Sequence, residues 1–335
     1  MYITHNNHFD FGWGTGTLNF NEKDSNSYRF SFGRASYIPS SFRQECVRAA
    51  RLIGENAKKP IIIHFSGGID SEIVVRSFLE AEVPFEVSIM QLLYKGNPHY
   101  NSFDTVYAFD LARKHKIKTH VFTQDIEQFV KTTFEKEADA WKTNHLAIAM
   151  QTEFVRNFPN YHNVYGGGDL KPQRYKSLGK SSVLRGTANE IHKTQNGLYV
   201  IEAESAVQVC FRAWECGTST SNRFFIHTPE LMLSWLYDPD IRHWIKYESA
   251  LHSRWTDLNH HGIKAFVCYK HWPEMPMRPK FTGFEVLGTK DFITSQLSPE
   301  SMEILARVNA KYGGNYVGSS KKVDVQDLIK MLLPE

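Results

Sequence analysis

The sequence predicts an α/β fold in which a doubly wound parallel sheet is followed by a mostly helical region. Short apolar segments alternate with segments of helical spacing from about residue 39 to residue 205. The residues before them are rich in glycine, asparagine, serine and aromatic side chains, and the pattern after them is mostly helical. Because strands that alternate with helices form parallel βαβ units, we expect a small β-rich segment over residues 1–38, an α/β domain over residues 39–205 and a helical region over residues 206–335.

Local patterns justify the elements in turn. Alternation in residues 27–38, SYRFSFGRASYI, predicts short strands, and Ser41 with Gln44 forms a capping box for a helix that ends near Gly54. Three predicted strands follow, IIIHF, FEVSIMQL and KTHVFT. Each is followed by a predicted helix: DSEIVVRSFLEAE, SFDTVYAFDLARKHK and DIEQFVKTTFEKEAD. Such units predict a parallel sheet with helices on both faces.

The later part of the chain extends this pattern. A helix near residues 141–157 and a strand at HNVYGGGD would enlarge the sheet. Beyond residue 205, TPELMLSWLYD and PDIRHWIKYESALHSRW have helical spacing. Thr228 is the expected N-cap of the first of these helices and Pro229 its first residue, where a missing N–H costs nothing.

Composition excludes several classes of protein. The chain has 335 residues, of which 41% are hydrophobic and 22% charged, and its net charge is only +3. We expect no nucleic-acid partner and no membrane partner, since no global basic excess, membrane-length apolar run or signal peptide is present. The four cysteines, Cys46, Cys210, Cys216 and Cys268, form no C-x-x-C pair. We therefore expect a cytoplasmic protein with reduced thiols.

A glycine pair follows the first strand of the α/β region, in FSGGIDS. Gly67 and Gly68 have no Cβ, so an anion could approach the backbone closely, and the helix that follows offers free N–H groups. The hydroxyls of Ser66 and Ser71 could add donors. Asp70 would repel phosphate unless a cation lay between them, which indicates Mg²⁺ bound to phosphate. The turn therefore predicts a site for a phosphate-containing ligand.

FSGGIDS resembles the SGGxDS pyrophosphate loop of the N-type ATP pyrophosphatase (PP-loop) superfamily. These proteins have an adenine nucleotide α-hydrolase-like fold and cleave ATP between its α and β phosphates to adenylate a substrate. Over about residues 40–290 the sequence is most similar to the synthetase domain of asparagine synthetase and of β-lactam synthetase. The resemblance implies an AMP-forming ligase that uses ATP and Mg²⁺, adenylates a carboxylate or amide-like oxygen of a small molecule, and then forms an amide with ammonia or an amine.

Two more motifs carry the resemblance. In NVYGGGDL, Gly167 and Gly168 match the second glycine-rich loop, and Asp169 matches a Mg²⁺-binding aspartate that would act with Asp70. In MPMRPKFTGFE, which matches the family's Arg-x-Lys stretch at Arg278, Lys280 falls on the lysine that contacts pyrophosphate and the reacting centre. Two aspartates and a lysine would stabilise the negative charge that accumulates as pyrophosphate leaves.

Other positions have weaker support. The family holds adenosine after its second strand, which corresponds here to Ile89 and Gln91 in SIMQLLYK; an ordinary buried strand explains the same residues. His64 is compatible with a packed strand histidine. A short basic run beside the second loop would be solvated surface or would contact pyrophosphate or an acidic substrate: Lys171, Arg174 and Lys176.

The sequence also departs from the asparagine synthetases. Gly166 stands where they carry a catalytic glutamate, and Glu202 and Glu204 are nearby candidates for that role. No cysteine at position 2 and no glutaminase segment is present, so we expect ammonia or an amine rather than glutamine as donor. Two alternatives stay open: a thiolating or nucleobase-modifying PP-loop enzyme, and a nucleotide-binding relative without catalysis.

Overall fold

The computed structural model of the chain describes residues 2–3, 9–13, 18–19, 28–97, 100–141, 144–167, 213–214, 217–221, 223–242, 260–278, 296–312, 329–330 and 332–335. The strands in this part of the chain are β1 Tyr2–Ile3, β2 Phe9–Trp13, β3 Leu18–Asn19, β4 Tyr28–Phe32, β5 Ile61–His64, β6 Glu86–Leu93, β7 Thr119–Asp125, β8 His162–Tyr165 and β9 Thr220–Ser221. The α-helices are α1 Phe42–Asn56, α2 Ile69–Glu80, α3 Ser102–Lys114, α4 Ile126–Phe129, α5 Glu135–Trp141, α6 Leu146–Arg156, α7 Pro229–Tyr237, α8 His260–His271 and α9 Pro299–Tyr312.

A parallel sheet forms the centre of the fold. Six of the described strands lie in the order β1-β9-β8-β5-β6-β7, and every adjacent pair is parallel. The α/β class and the predicted strands β5 to β8 are therefore confirmed. Strands β2, β4 and β3 form a separate antiparallel sheet within the first 38 residues, where short strands were expected.

Helices cover both faces of the parallel sheet, which is compatible with a doubly wound arrangement. One core includes residues of α1, α2, α3, α7 and α8, among them Phe42, Phe78 and Leu231. The other includes residues of α4, α5, α6 and α9, among them Phe129 and Phe154. Burial of one such aromatic side chain contributes on the order of 2 kcal/mol, so both helical layers stabilise the sheet.

The ends of two helices agree with the capping residues in the sequence. Ser41 accepts from the N–H of Gln44 while the Gln44 side chain bonds back to the N-cap backbone, which completes a capping box. At α7, Thr228 accepts from the N–H of Leu231, and Pro229 is the first helical residue. These termini follow from local sequence, because a cap satisfies N–H groups that the helix itself leaves free.

One predicted helix is interrupted. DIEQFVKTTFEKEAD was expected to form a single α-helix, but Val130–Phe134 forms a π-helical turn between α4 and α5. Phe129, Val130 and Phe134 are buried in the same core across this turn. The second late helix, PDIRHWIKYESALHSRW, is described only at residues 239–242, which are helical.

Elements beyond residue 205 share the sheet and both cores with the elements before it. Strand β9 pairs with β8, α7 and α8 contribute to the core that contains Phe42, and α9 contributes to the core that contains Phe129. The limits of the three predicted segments stay a prediction. None of the helices in the described part of the chain has the length and apolar character needed to cross a membrane.

The strand order places a crevice between β5 and β8. The chain passes from β5 through α2 to β6 on one side, and β8 later pairs with β5 on the other side. In open parallel sheets, ligands bind beyond the carboxyl ends of strands at the point where the order reverses. The segments that follow β5 and β8, which begin at Phe65 and Gly166, are therefore the place to look for a site.

Candidate functional site

The turn after β5 is braced by two serine hydroxyls. Gly68 N donates to Ser66 Oγ at 3.2 Å, Ser71 Oγ donates to Gly68 O at 3.0 Å, and the two hydroxyl oxygens lie 3.0 Å apart. The predicted residues Ser66, Gly67, Gly68 and Ser71 thus form one compact turn. The hydroxyls fix the turn and lie beside its backbone N–H groups.

Gly67 is the one position of this turn that no other residue could occupy without a shift. Its φ is +87°, in the left-handed region, and a Cβ built on it would lie 1.9 Å from the carbonyl oxygen of Asp104 in α3. A backbone oxygen of a helix cannot move aside as a flexible side chain can. The first glycine of the pair is therefore required by close packing of the turn against α3.

Gly68 is the N-cap of α2 and makes the start of that helix accessible. It is extended, and no side chain caps the helix. The first N–H groups of a helix have no partner within the helix, and together with the helix dipole they favour an anion. In combination with the crevice between β5 and β8, this uncapped terminus forms the centre of the candidate site.

The predicted glycine-rich loop after β8 lies against this turn. A Cβ on Gly166 would lie 2.9 Å from both N and Cα of Ser71, so no side chain fits there. Gly167 has φ +87°, and its ideal Cβ position lies 3.9 Å from Asp70 Oδ2 and 3.9 Å from Arg223 Nη1. Gly166, which stands where the asparagine synthetases carry a glutamate, is thus a packing requirement between the two loops.

Asp70 is ion-paired with a lysine that the sequence analysis did not identify. Lys264 Nζ on α8 lies 2.5 Å from Asp70 Oδ2, and the two side chains are 12% and 31% exposed. Because Asp70 also lies close to Gly167, the pair sits where the two loops meet. Lys264 occurs in no motif, so only the tertiary structure could reveal it.

Arg223 is a second cation at this edge of the sheet. Its Nη1 donates to Gly166 O at 2.8 Å, its Nη2 donates to Gln151 Oε1 at 3.3 Å, and its guanidinium lies 5.4 Å from the ring centre of Tyr165. These contacts hold the backbone of the second loop. Arg223 and the Lys264–Asp70 ion pair therefore both lie beside Gly167.

Arg278, from the third motif, lies beneath the first turn. Its side chain is 2% exposed and donates to Gly67 O and to the carboxylate of Glu72, which is 1% exposed. Its guanidinium lies 4.5 Å from the ring centre of Tyr107. The third motif thus reaches the first turn, and Arg278 holds it from the protein side rather than from the solvent.

Ile89 and Gln91 do not turn their backbone groups toward the first turn. Val87 N donates to Lys118 O, the residue before β7, and alternate residues of a strand face the same neighbour, so Ile89 and Gln91 also face β7. On the opposite side of β6, the Asn101 side chain bonds to Met90 O and Leu92 N at 2.8 and 2.9 Å. Adenosine binding by Ile89 and Gln91 stays a prediction, and no described contact supports it.

A cavity opens at the same edge of the sheet, near the ends of β6 and β7. Its volume is about 760 Å³, and its lining includes Lys95, Asp125, Gln128 and Thr132. Cavities of a few hundred cubic ångströms accommodate small-molecule ligands. None of the residues that line this cavity belongs to the Ser66–Ser71 turn or to Gly166 and Gly167, so the cavity is distinct from that turn.

Several predicted residues lie outside the described residues: Gly168, Asp169, Lys280, Lys171, Arg174, Lys176, Glu202 and Glu204. Within the described part of the chain, no group of three or more His, Cys, Asp or Glu side chains could hold a metal ion. Asp70 can supply one carboxylate of the type that Mg²⁺ prefers, with Lys264 as a competing cation. The described residues thus fit part of a Mg²⁺ site.

His64 is a packed strand histidine. Its Nε2 donates to Asn163 Oδ1 at 2.9 Å, and its Nδ1 accepts from Ser88 Oγ at 2.7 Å. Burial lowers the pKa of His64 to about 4, and the positive charge of Arg223 acts in the same direction. The neutral ring stabilises the junction of three strands, β5, β6 and β8.

The lowered pKa of His64 predicts a dependence of stability on pH. An unfolded histidine takes up a proton near its ordinary pKa of 6.5 and the folded one only near 4, so stability is lost as the pH falls between these values. In urea titrations from pH 7 to pH 4, His64→Gln should show a shallower fall in the free energy of unfolding than the parent. His162, whose pKa burial lowers to about 3, leaves a residual dependence of the same sign in both. If the free energy of unfolding fell equally with pH in the parent and in His64→Gln, the lowered pKa of His64 would be contradicted.

Comparison with known proteins adds no family for this chain. No protein-family model matches the sequence. The search of curated proteins likewise found no match, so the site is interpreted from its own geometry and from the motifs.

Proposed function

We propose that the chain is an AMP-forming, ATP-dependent ligase of the N-type ATP pyrophosphatase type, with the doubly wound fold of the adenine nucleotide α-hydrolase-like proteins. It adenylates a carboxylate or amide-like oxygen of a small molecule with release of pyrophosphate, and ammonia or an amine then displaces AMP. The observation that carries the proposal is the turn at Gly67 and Gly68. It packs too closely for any Cβ at Gly67 and leaves the start of α2 uncapped at the β5–β8 crevice.

Charge around the turn suits a polyphosphate. Arg223 and Lys264, the latter paired with Asp70, are two cations beside Gly167, and the start of α2 adds its dipole. Attack on the α-phosphorus breaks its bond to the bridging oxygen, and negative charge moves onto the departing pyrophosphate. Preorganised cations stabilise such charge most strongly where water is excluded, so a partly buried lysine is well suited to this role.

Chain connectivity is consistent with the remaining family residues acting at this site. Asp169 is two residues from Gly167 and Lys280 is two residues from Arg278, and two residues span at most about 7 Å. In the proposal, Asp70 and Asp169 hold Mg²⁺, which when bound neutralises charge on the phosphate oxygens. Lys280 contacts pyrophosphate.

A second candidate function is nucleotide binding without catalysis, and the geometry of Gly166 favours it. The backbone of Ser71 excludes any side chain at position 166, so a carboxylate cannot act from there as base toward an incoming amine. In the ligase proposal, Glu202, Glu204 or the substrate itself provides that base. In the binding-only candidate, no group acts as a base toward an amine.

The products formed from ATP distinguish the two candidates. Purified protein would be incubated with ATP, Mg²⁺, ammonium chloride and a pool of small carboxylic acids, and the nucleotides separated by anion-exchange chromatography. We expect AMP and pyrophosphate in equal amounts, because the proposed attack is on the α-phosphorus. The matched control is Asp70→Asn, which removes the negative charge of one proposed Mg²⁺ ligand and should lower AMP formation by at least tenfold.

Two outcomes would decide against the ligase. ADP and orthophosphate as products would show attack on the γ-phosphorus and would rule out this superfamily. ATP binding without AMP in any pool would support the binding-only candidate.

A further inference from the structure

The peptide between Gly67 and Gly68 has a defined orientation. The Gly67 carbonyl accepts from Arg278 on the protein side, and Gly68 N donates to Ser66 Oγ. Because C=O and N–H of a trans peptide point in opposite directions, tying the carbonyl inward turns the N–H outward. In this orientation the Gly68 N–H is held by Ser66 Oγ, and the Gly67 oxygen faces away from an anion at the turn.

Glycine makes that orientation easy to lose. A residue without Cβ adopts positive and negative φ with similar ease, so the peptide beside Gly67 has little intrinsic preference for either orientation. If the peptide flipped, the Gly67 oxygen would face the anion and repel it. The packing that excludes a Cβ at Gly67 does not by itself prevent this rotation. The bond from Arg278 to the Gly67 oxygen opposes it, together with the neutral bond from Gly68 N to Ser66 Oγ.

Arg278 also brings buried positive charge close to the turn. Glu72 is bonded to both Arg278 and Arg76, whose Nε lies 2.7 Å from Glu72 Oε1. One carboxylate therefore faces two guanidinium groups, and Arg76 has a second, weaker partner in the half-exposed Glu274 at 3.4 Å. The cluster thus holds two guanidinium groups and two carboxylates, and without Arg278 it would carry a net negative charge close to the turn.

We propose that Arg278 is a positioning residue that sets the affinity of the Ser66–Ser71 turn for a polyphosphate, by holding the Gly67 carbonyl inward and by compensating the negative charge of Glu72 behind the turn. The inference rests on the proposed function for the identity of the ligand class. It adds that affinity for the anion depends on a side chain that does not touch it. It also explains how residues near position 280 are joined to a turn more than two hundred positions earlier.

Binding of inorganic pyrophosphate in the presence of Mg²⁺ tests the inference without catalysis. Isothermal titration calorimetry would compare the parent with Arg278→Met, Arg278→Gln and Arg278→Lys. We expect at least tenfold weaker binding for Arg278→Met, since a hydrogen bond to a charged donor and the charge itself are both lost. Arg278→Lys retains the charge and one donor. Its affinity for pyrophosphate should be within about threefold of that of the parent and should depend on salt as the affinity of the parent does. Arg278→Gln retains a neutral donor and should lie between them with a weaker salt dependence.

Arg43 provides a matched control. Like Arg278 it donates to a backbone carbonyl and a carboxylate and lies over an aromatic ring: His271 O at 2.8 Å, Glu80 Oε2 at 2.8 Å and the Trp272 ring at 5.6 Å. It does not contact the turn. Arg43→Met should lower the thermal unfolding midpoint and leave pyrophosphate affinity within twofold of the parent.

The outcomes separate the inference from the proposed function. If the parent binds pyrophosphate and folded Arg278→Met binds it within twofold, the inference is wrong and the proposed function stands. Equal losses of pyrophosphate affinity in Arg43→Met and Arg278→Met would show that the loss follows from lower stability, and would also overturn the inference. If Arg278→Met does not fold, the affinities of the other two variants decide: tighter pyrophosphate binding by Arg278→Lys than by Arg278→Gln supports the inference, and equal binding overturns it. A parent that binds no pyrophosphate would overturn both.

Discussion

Replacement of Gly67 by alanine is expected to abolish polyphosphate binding and to lower the free energy of unfolding by about 2 to 5 kcal/mol. The left-handed backbone at φ +87° costs a residue with a Cβ roughly 1 to 2 kcal/mol. The Cβ would also lie 1.9 Å from the Asp104 carbonyl oxygen, and relief of such an overlap in a packed region costs about 1 to 3 kcal/mol more. Either the turn or α3 must shift, and a shift of the turn moves the N–H groups at the start of α2.

Gly96 separates the two contributions. Its φ is +76°, close to that of Gly67, but a Cβ there would meet nothing within 4 Å. Gly96→Ala should therefore lose only the conformational part, roughly 1 to 2 kcal/mol, and should bind pyrophosphate like the parent. Urea unfolding and calorimetric titration of both variants with pyrophosphate give the comparison. Unchanged binding by Gly67→Ala would mean that the turn after β5 is not the anion site.

The parts of this site that the sequence predicts are those whose chemistry is local. The glycine pair lies within seven residues of the strand and the helix that it joins, so its position at a strand end could be inferred without a structure. The same holds for Ser41 with Gln44 and for Thr228 with Pro229, since each cap acts on the next few backbone groups. Apolar segments that alternate with helices likewise predicted β5 to β8, because strands of a sheet covered by helices on both faces bury apolar side chains in the two cores.

The parts that the sequence does not predict depend on contacts between distant residues. Lys264 reaches Asp70 across 194 positions, and Arg278 reaches Gly67 across 211. No periodicity or motif encodes such a pair. Gly166 shows the difference well: the sequence reveals a glycine where the family has glutamate, whereas only the structure shows that the Ser71 backbone fills the space.

Lys264 changes the electrostatic account of the site. The motifs alone place one lysine, Lys280, at the departing pyrophosphate, and treat Asp70 as a ligand for Mg²⁺ alone. In the structure Asp70 has a cationic partner within the protein, so the carboxylate orients an ammonium group at the point where the two loops meet. In the proposed function, Asp70 therefore serves both Mg²⁺ and Lys264.

Lys264→Met is expected to lower kcat for AMP formation about a hundredfold while changing the affinity for ATP by only a few fold. Methionine keeps most of the apolar stem and removes the charge. A preorganised cation that stabilises charge on the departing group is worth on the order of 3 kcal/mol, and its loss appears in kcat because that charge is largest in the transition state. Steady-state assays of pyrophosphate release with an acceptor identified from the carboxylic acid pool would measure kcat and KM for ATP.

Lys270 is the control on the same helix. It is paired with Asp238 at 2.8 Å and Asp240 at 2.5 Å, away from the two loops, so Lys270→Met also removes an ion pair of α8. We expect its kcat to stay within about twofold of the parent after correction for the folded fraction. Equal losses in both variants would assign Lys264 a structural role. If Lys264→Met turns over like the parent while Lys280→Ala loses activity, the charge on the departing pyrophosphate is stabilised by the lysine of the third motif, and the pair of Lys264 with Asp70 only shapes the turn.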